Sequence, residues 1–179
     1  RSFFNNVKYE RNLNNEFTLI YPGTLGRSRC IKEIIQSLPL INVPVKFCII
    51  GGWNDVLYRD ECMKESGWKY VSYLPYMPAD QVYIKLLQAD LGLQILYDNI
   101  DNRGPYPMKV FEYLASSLPI LITNQKSKRS TFGSYVNYLD GNTPEKIAKK
   151  INELANNKEK LKKQGAAGLQ LFENKFSWE

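Results

Sequence analysis

Short apolar runs rich in β-branched and aromatic residues recur along this chain, each closed by a turn signal and most followed by a stretch with helical spacing. Phe17–Tyr21 stops at Pro22-Gly23, Val45–Ile50 at Gly51-Gly52, and Lys69–Leu74 at Pro75. Asp90–Leu96 runs out into Tyr97–Asp101, Pro119–Thr123 follows, and Tyr135–Leu139 reads as a short sixth run. Between them lie amphipathic segments. One carries Ile31, Ile34, Ile35 and Leu38 on one side and ends before Pro39; others span Asp55–Glu65 and Pro78–Ala89. Thr143-Pro144 is a good helix start, and Leu161, Ala167, Leu169 and Leu171 mark one more helix. The polar stretch Asn124–Ser130 reads as a loop. Strands alternating with helices at this spacing predict an α/β fold, a doubly wound three-layer α/β/α sandwich around a mostly parallel sheet. The near-continuous apolar run at Asp90–Leu96 suits a strand covered on both faces.

Such sheets bind ligands outside the carboxyl ends of their strands, so the loops after the apolar runs carry the functional expectations. The richest is Arg103–Ile120, a Gly/Pro loop that opens a helix of about ten residues and then runs into a strand. Pro107 suits a first helical turn, because its ring presets φ and its missing N–H has no helical partner there. The N–H groups of Met108, Lys109 and Val110 then stand at the positive end of the helix dipole, an anion seat most simply for phosphate. Helical spacing puts Val110, Phe111, Leu114 and Ala115 on an apolar stripe and Lys109, Glu112 and Ser116 opposite. Lys109 and Glu112 are one turn apart, so they are either an ordinary surface ion pair or two ligand groups. After the first strand, Gly23-Thr24-Leu25-Gly26 allows close backbone approach to a phosphate, and a plain structural turn is an equal reading.

Pro107-x-Lys109-x-x-Glu112-Tyr113-x-Ala115 followed by Pro119-Ile120 resembles the signature segment of the donor half of GT-B type glycosyltransferases, in particular the large retaining family 4. The resemblance spans Phe17 to Glu179, and its specific part is Pro107 through Ile120. It implies a Rossmann-like domain, one half of a GT-B fold, that holds a nucleotide diphosphate sugar. The helix start at Pro107, Met108, Lys109 and Val110 would take the diphosphate, and Glu112 the ribose hydroxyls. The loop at Gly23 and Thr24 would face the donor, and a basic residue just past it would meet the diphosphate. Arg27 is the first candidate for that role and Arg29 the second, since either offers a forked set of donors. Tyr73 to Met77 would lie on the base side, against the alternative of ordinary loop packing by Tyr76 and Met77. The chain departs from the family pattern at Gly104, where many members carry a glutamate that touches the sugar, and at Ser117, where glycine is usual. Phe176-Ser177-Trp178 is similar to a segment near the family's end.

With 179 residues, 44% of them hydrophobic, the chain can bury one good core. Residues 1–16 read as a linker from a missing N-terminal domain and residues 17–179 as the donor domain, a division that the absence of an initiator Met favours. There is no histidine, which removes the commonest metal ligand and general base. Asp98 and Asp101 do not form an Asp-x-Asp metal pair, so no metal and no cofactor are expected beyond a UDP-, GDP- or ADP-sugar as donor substrate. Cys30, Cys48 and Cys62 are odd in number and widely spaced, as in a reduced, cytoplasmic protein. A net charge of +6 attracts anions, but Lys146, Lys149, Lys150, Lys158, Lys160, Lys162 and Lys163 read as a solvated helix face. No run approaches membrane-spanning length. The expectation is a glycosyltransferase donor domain at the cytoplasm or the inner face of the membrane. Its partners are a nucleotide sugar and the N-terminal acceptor domain, peripheral membrane contact through the full-length protein stays open, and the piece alone should bind nucleotide without transferring sugar. The alternative is a non-catalytic Rossmann-like module that binds nucleotide or nucleic acid.

Overall fold

Six strands pair in parallel: β1 (Phe17–Pro22), β2 (Val45–Ile50), β3 (Val71–Leu74), β4 (Leu91–Gln94), β5 (Ile120–Thr123) and β6 (Asn137–Leu139). The computed structural model describes residues 15–97 and 108–176, and among these the strand order is β3-β2-β1-β4-β5-β6. The helices are α1 (Ile31–Ser37), α2 (Val56–Met63), α3 (Ala79–Gln88), α4 (Met108–Ala115), α5 (Lys126–Phe132), α6 (Pro144–Ala155) and α7 (Lys158–Lys175).

Alternation along the strands divides the core into two layers. Phe17, Leu19 and Tyr21 of β1 face Ile31, Ile34 and Ile35 of α1 and Ile147 and Ile151 of α6. Ile20, Cys48 and Ile50 point the other way, into a layer with Val110, Tyr113 and Leu114 of α4, Leu86 of α3 and Phe132 of α5. The sandwich is therefore the expected one, with every strand pair parallel. The three cysteines are buried and unbridged. Among the described residues no helix is long and apolar enough to cross a membrane.

Local chemistry sets most element ends. Asp55 caps α2 by accepting from the Tyr58 N–H at 3.1 Å, and Thr143 caps α6 with Pro144 in its first turn. Three expectations are corrected. The Asn124–Ser130 loop is instead the start of α5: its Ser and Thr hydroxyls turn back onto helix carbonyls, Ser130 to Lys126 and Thr131 to Ser127, and Phe132 anchors it in the core. Packing overrides the loop-like composition there. Lys69 and Tyr70 belong to a 3-10 turn, Ser66–Tyr70, and not to the third strand. That turn is pinned at Gly67, where a Cβ would lie 1.8 Å from the Ile35 carbonyl oxygen of α1. The buried stripe of α4 is Val110, Tyr113 and Leu114, with Phe111 and Ala115 half-buried, because Tyr113 covers the sheet at Gly92.

The end of α4 explains what glycine would do at position 117. Ser117 N–H donates to the Leu114 carbonyl and Leu118 N–H to the Tyr113 carbonyl, the paired bonds of a Schellman ending, with Ser117 at φ +54°. A serine in that left-handed region is strained by about 1 kcal/mol. Ser117→Gly is therefore expected to raise the melting temperature by about 2–4 °C, measured by thermal denaturation. α7 packs on this turn through Gly165, where a Cβ would meet the Ser117 carbonyl oxygen at 2.2 Å.

Candidate functional site

The strand order reverses direction between β1 and β4, the switch point of a doubly wound sheet. The ladder there is short. Only Leu19↔Leu91 and Ile20↔Gly92 are paired, after which the two strands part. Tyr113 of α4 fills the fork: its hydroxyl lies 3.1 Å from the Leu93 carbonyl and 3.4 Å from that of Ile20. Gly92 makes room for it, since a Cβ there would stand 2.8 Å from the Tyr113 ring.

The first loop is held open by its neighbours. Gly23 takes φ +135°, and its N–H donates to the Ile50 carbonyl at 2.7 Å. Leu25 N–H donates to Gly52, and Asn54 N–H to Leu25, so the carboxyl ends of β1 and β2 are sewn together.

Lys109 reaches this loop from the other side of the fork. Its ammonium donates to the Pro22 carbonyl and lies 4.5 Å from the centroid of the Tyr21 ring, close enough to Gly23 that a Cβ there would be 2.5 Å from Nζ. Burial lowers the Lys109 ammonium from its usual 10.5 to about 8; the Glu112 carboxylate opposes this and the Arg29 guanidinium adds to it. Glu112 is exposed, and among the described residues its carboxylate has no hydrogen bond or ion pair. Of the two readings of Lys109 and Glu112, the surface ion pair is not formed.

The two arginines separate. Arg27 gives its fork to Glu61, at 2.7 and 3.2 Å, stands 3.6 Å from Asp55 and covers the Tyr58 ring. Those contacts pull Glu61 down to about 2, Arg27 first and Lys32 second. Arg29, at the end of the Arg27–Arg29 3-10 turn and before left-handed Cys30 (φ +50°), is the one whose charge reaches both Lys109 and Tyr21.

Among the remaining expected residues, Thr24 and Met108 are exposed and Val110 is buried beneath the first turn of α4. Pro107, Gly104, Asp98, Asp101, Ser177 and Trp178 lie outside the described residues. Tyr73 packs on Trp53 at 6.2 Å and donates to the Gly51 carbonyl at 3.2 Å; Met77, half-buried, packs against the core, and Tyr76 is 86% exposed. Two residues escape a sequence reading: Trp53, the centre of an aromatic cluster with Tyr58, Trp68 and Tyr73, and Gln94, a buried amide at the end of β4. A polar residue inside the apolar run Asp90–Leu96 is the signal that Gln94 leaves.

A cavity of about 390 Å³ lies at the opposite, amino end of the sheet, lined by Thr18, Asp90, Ser117, Lys158 and Lys162 among others. Asp90 is already engaged there by the Thr18 N–H at 2.8 Å. The converging glycine loop, helix start and basic groups are all at the carboxyl end, where parallel sheets bind ligands.

The sequence model of the family described as Glycosyl transferases group 1 matches residues 4–170. The capsular polysaccharide biosynthesis glycosyltransferase CapM of Staphylococcus aureus is 28% identical over 184 residues, covering 95% of this chain and 45% of its own length. The chain thus spans about half the length of the curated relative it matches. Anabaena HepE, crystallised with UDP and glucose, has a TM-score of 0.79 at 14% identity, over 91% of this chain and 45% of that one. The C-terminal domain of the group 1 protein LpcC from Francisella tularensis has a TM-score of 0.75 at 13% identity, over 90% of this chain and 86% of that one. At these identities the two structures speak for the fold.

Proposed function

Since this chain belongs to the glycosyl transferases group 1 family and is a GT-B glycosyltransferase domain, we propose that it is the C-terminal, donor-binding half of a retaining, family 4 enzyme. It would hold a nucleotide diphosphate sugar, while an N-terminal domain holds the acceptor. Residues 1–16 would then be the linker and 17–179 the donor domain. The carrying observation is Lys109: its ammonium is free of Glu112, partly desolvated, and laid across the end of β1 against Gly23 at the switch point.

Lys109, the first amides of α4 and Arg29 would stabilise the charge that grows on the leaving diphosphate as the glycosidic bond breaks. Arg29 stands ahead of Arg27 in this role because Arg27 is held by Glu61 and Asp55. With these groups supplying the positive charge, the reaction is metal-independent. Glu112, unpaired beside Lys109, is free to accept from ribose hydroxyls. HepE's complex with UDP and CapM's capsular polysaccharide role make a UDP-sugar the first donor to try and polysaccharide assembly at the cytoplasmic side of a membrane the setting. The chain alone would bind the nucleotide and transfer nothing. No observation favours nucleic acid: Lys150 pairs with Glu153 and Lys162 with Glu159 on the helix surface.

Calorimetric titration with UDP, GDP and ADP across pH tests this reading. Phosphate favours the protonated Lys109, whose free form titrates near 8, so affinity should fall as pH rises from about 8 to 9.5. Stability moves oppositely. The unfolded chain holds its lysine proton up to the usual 10.5, so the fold gains stability over the same interval. No nucleotide binding, or binding that ignores pH in this window, contradicts the assignment.

A further inference from the structure

Gln94 is 2% exposed, and its Oε1 has no hydrogen-bond partner among the described residues. A buried, unpaired carboxamide oxygen destabilises a folded protein, so an amide kept in an otherwise apolar strand calls for a physical reason. Its position supplies one.

Gln94 is the last residue of β4, two beyond the final pair with β1, so it sits where the strands have parted. It shares a strand face with Gly92, and Gly92 is pressed against the Tyr113 ring of α4. Two residues along a parallel strand advance about 6.6 Å, and four residues back along the helix cover about 6 Å. One turn before Tyr113 are Lys109 and Val110, so the Gln94 amide lies at the floor of the fork, beneath the start of α4. The helix start and the unpaired amide are thus two independent features of one place.

We propose that Gln94 is a donor-specificity residue whose carboxamide oxygen accepts a hydrogen bond from a hydroxyl of the glycosyl group; this rests on the reading of the site as a nucleotide-sugar seat. The acceptor lacks a donor, and of the parts of such a ligand a bound phosphate has no proton to give. In the function proposed above the ribose falls to Glu112. The glycosyl hydroxyls remain as the donors that match.

The test uses Gln94→Leu and, as a variant of matched length, Gln94→Met. Each is titrated with UDP and with its glucose, galactose and N-acetylglucosamine esters, or with the nucleoside diphosphate that the unchanged chain binds best and the same esters. The proposal expects unchanged affinity for the nucleoside diphosphate and an affinity for the preferred sugar ester lowered about three- to tenfold. It also expects a melting temperature equal to or above that of the unchanged chain, since an apolar side chain removes an unpaired buried acceptor. Equal loss for nucleotide and ester overturns it, as does no loss for the ester, or an unchanged chain that cannot tell any ester from the bare diphosphate. A marked fall in melting temperature for both variants also overturns it, because the amide would then be a paired structural group. Failure of the unchanged chain to bind any nucleoside diphosphate is a different result and strikes the donor-domain reading itself.

Discussion

Lys109→Ala is expected to weaken nucleoside diphosphate binding by about 10- to 100-fold while leaving the chain folded. A hydrogen bond between charged groups contributes about 1.5–3 kcal/mol, and each 1.4 kcal/mol is a factor of ten. The value should lie toward the upper part of that range, because the ammonium is desolvated before the ligand arrives and does not have to shed a full water shell. Removing it frees the Pro22 carbonyl but also relieves a partly buried charge, so the effect on stability is small. Lys163→Ala, an exposed lysine of α7, is the control and should change nothing. Isothermal titration separates the two variants, and a far-ultraviolet spectrum confirms the fold. Equal affinities would remove Lys109 from the site.

Gly51→Ala is expected to lower stability by about 2–5 kcal/mol, of a total that is typically about 5–15 for a chain of this kind. Two penalties add. Gly51 takes φ +136°, which strains any residue with a Cβ, and the new atom would stand 2.2 Å from the Gly23 carbonyl oxygen. That neighbour is backbone and cannot swing aside, so the loops after β1 and β2 would have to separate. Melting should drop by about 5–15 °C. Gly52→Ala meets nothing within 4 Å and should be nearly neutral, which isolates the packing of Gly51 from glycine content as such. Since the same contact shapes the loop at Gly23, the variant that still folds in the cold should also bind nucleotide less well.

The sheet was readable because runs such as Val45–Ile50 and Asp90–Leu96 are apolar on both faces, and a parallel strand buried twice over leaves that mark in composition. The start of α4 was readable because proline and helical periodicity meet at Pro107–Met108. The place of Lys109 was not. Three-residue spacing to Glu112 fits a surface pair as well as it fits what the structure holds, an ammonium folded back onto Pro22. The pairing of Arg27 was equally hidden, since the carboxylate that claims it, Glu61 of α2, is 34 residues away. The strain at Ser117 and the helix α5 were hidden for a common reason. Backbone strain and Ser/Thr-rich helices are sustained by packing against distant residues, such as Gly165 or Phe111 against Phe132, that no local window contains.

The proposed function needs an anion seat at the start of α4, beside the Gly23 loop. Backbone amide spectra recorded by two-dimensional NMR during a UDP titration test it most directly. The largest shifts should fall on Met108, Lys109 and Val110 and on Gly23 and Thr24, saturating together. Shifts gathered instead around Thr18, Asp90, Ser117 and Lys162, at the cavity on the far end of the sheet, would contradict it.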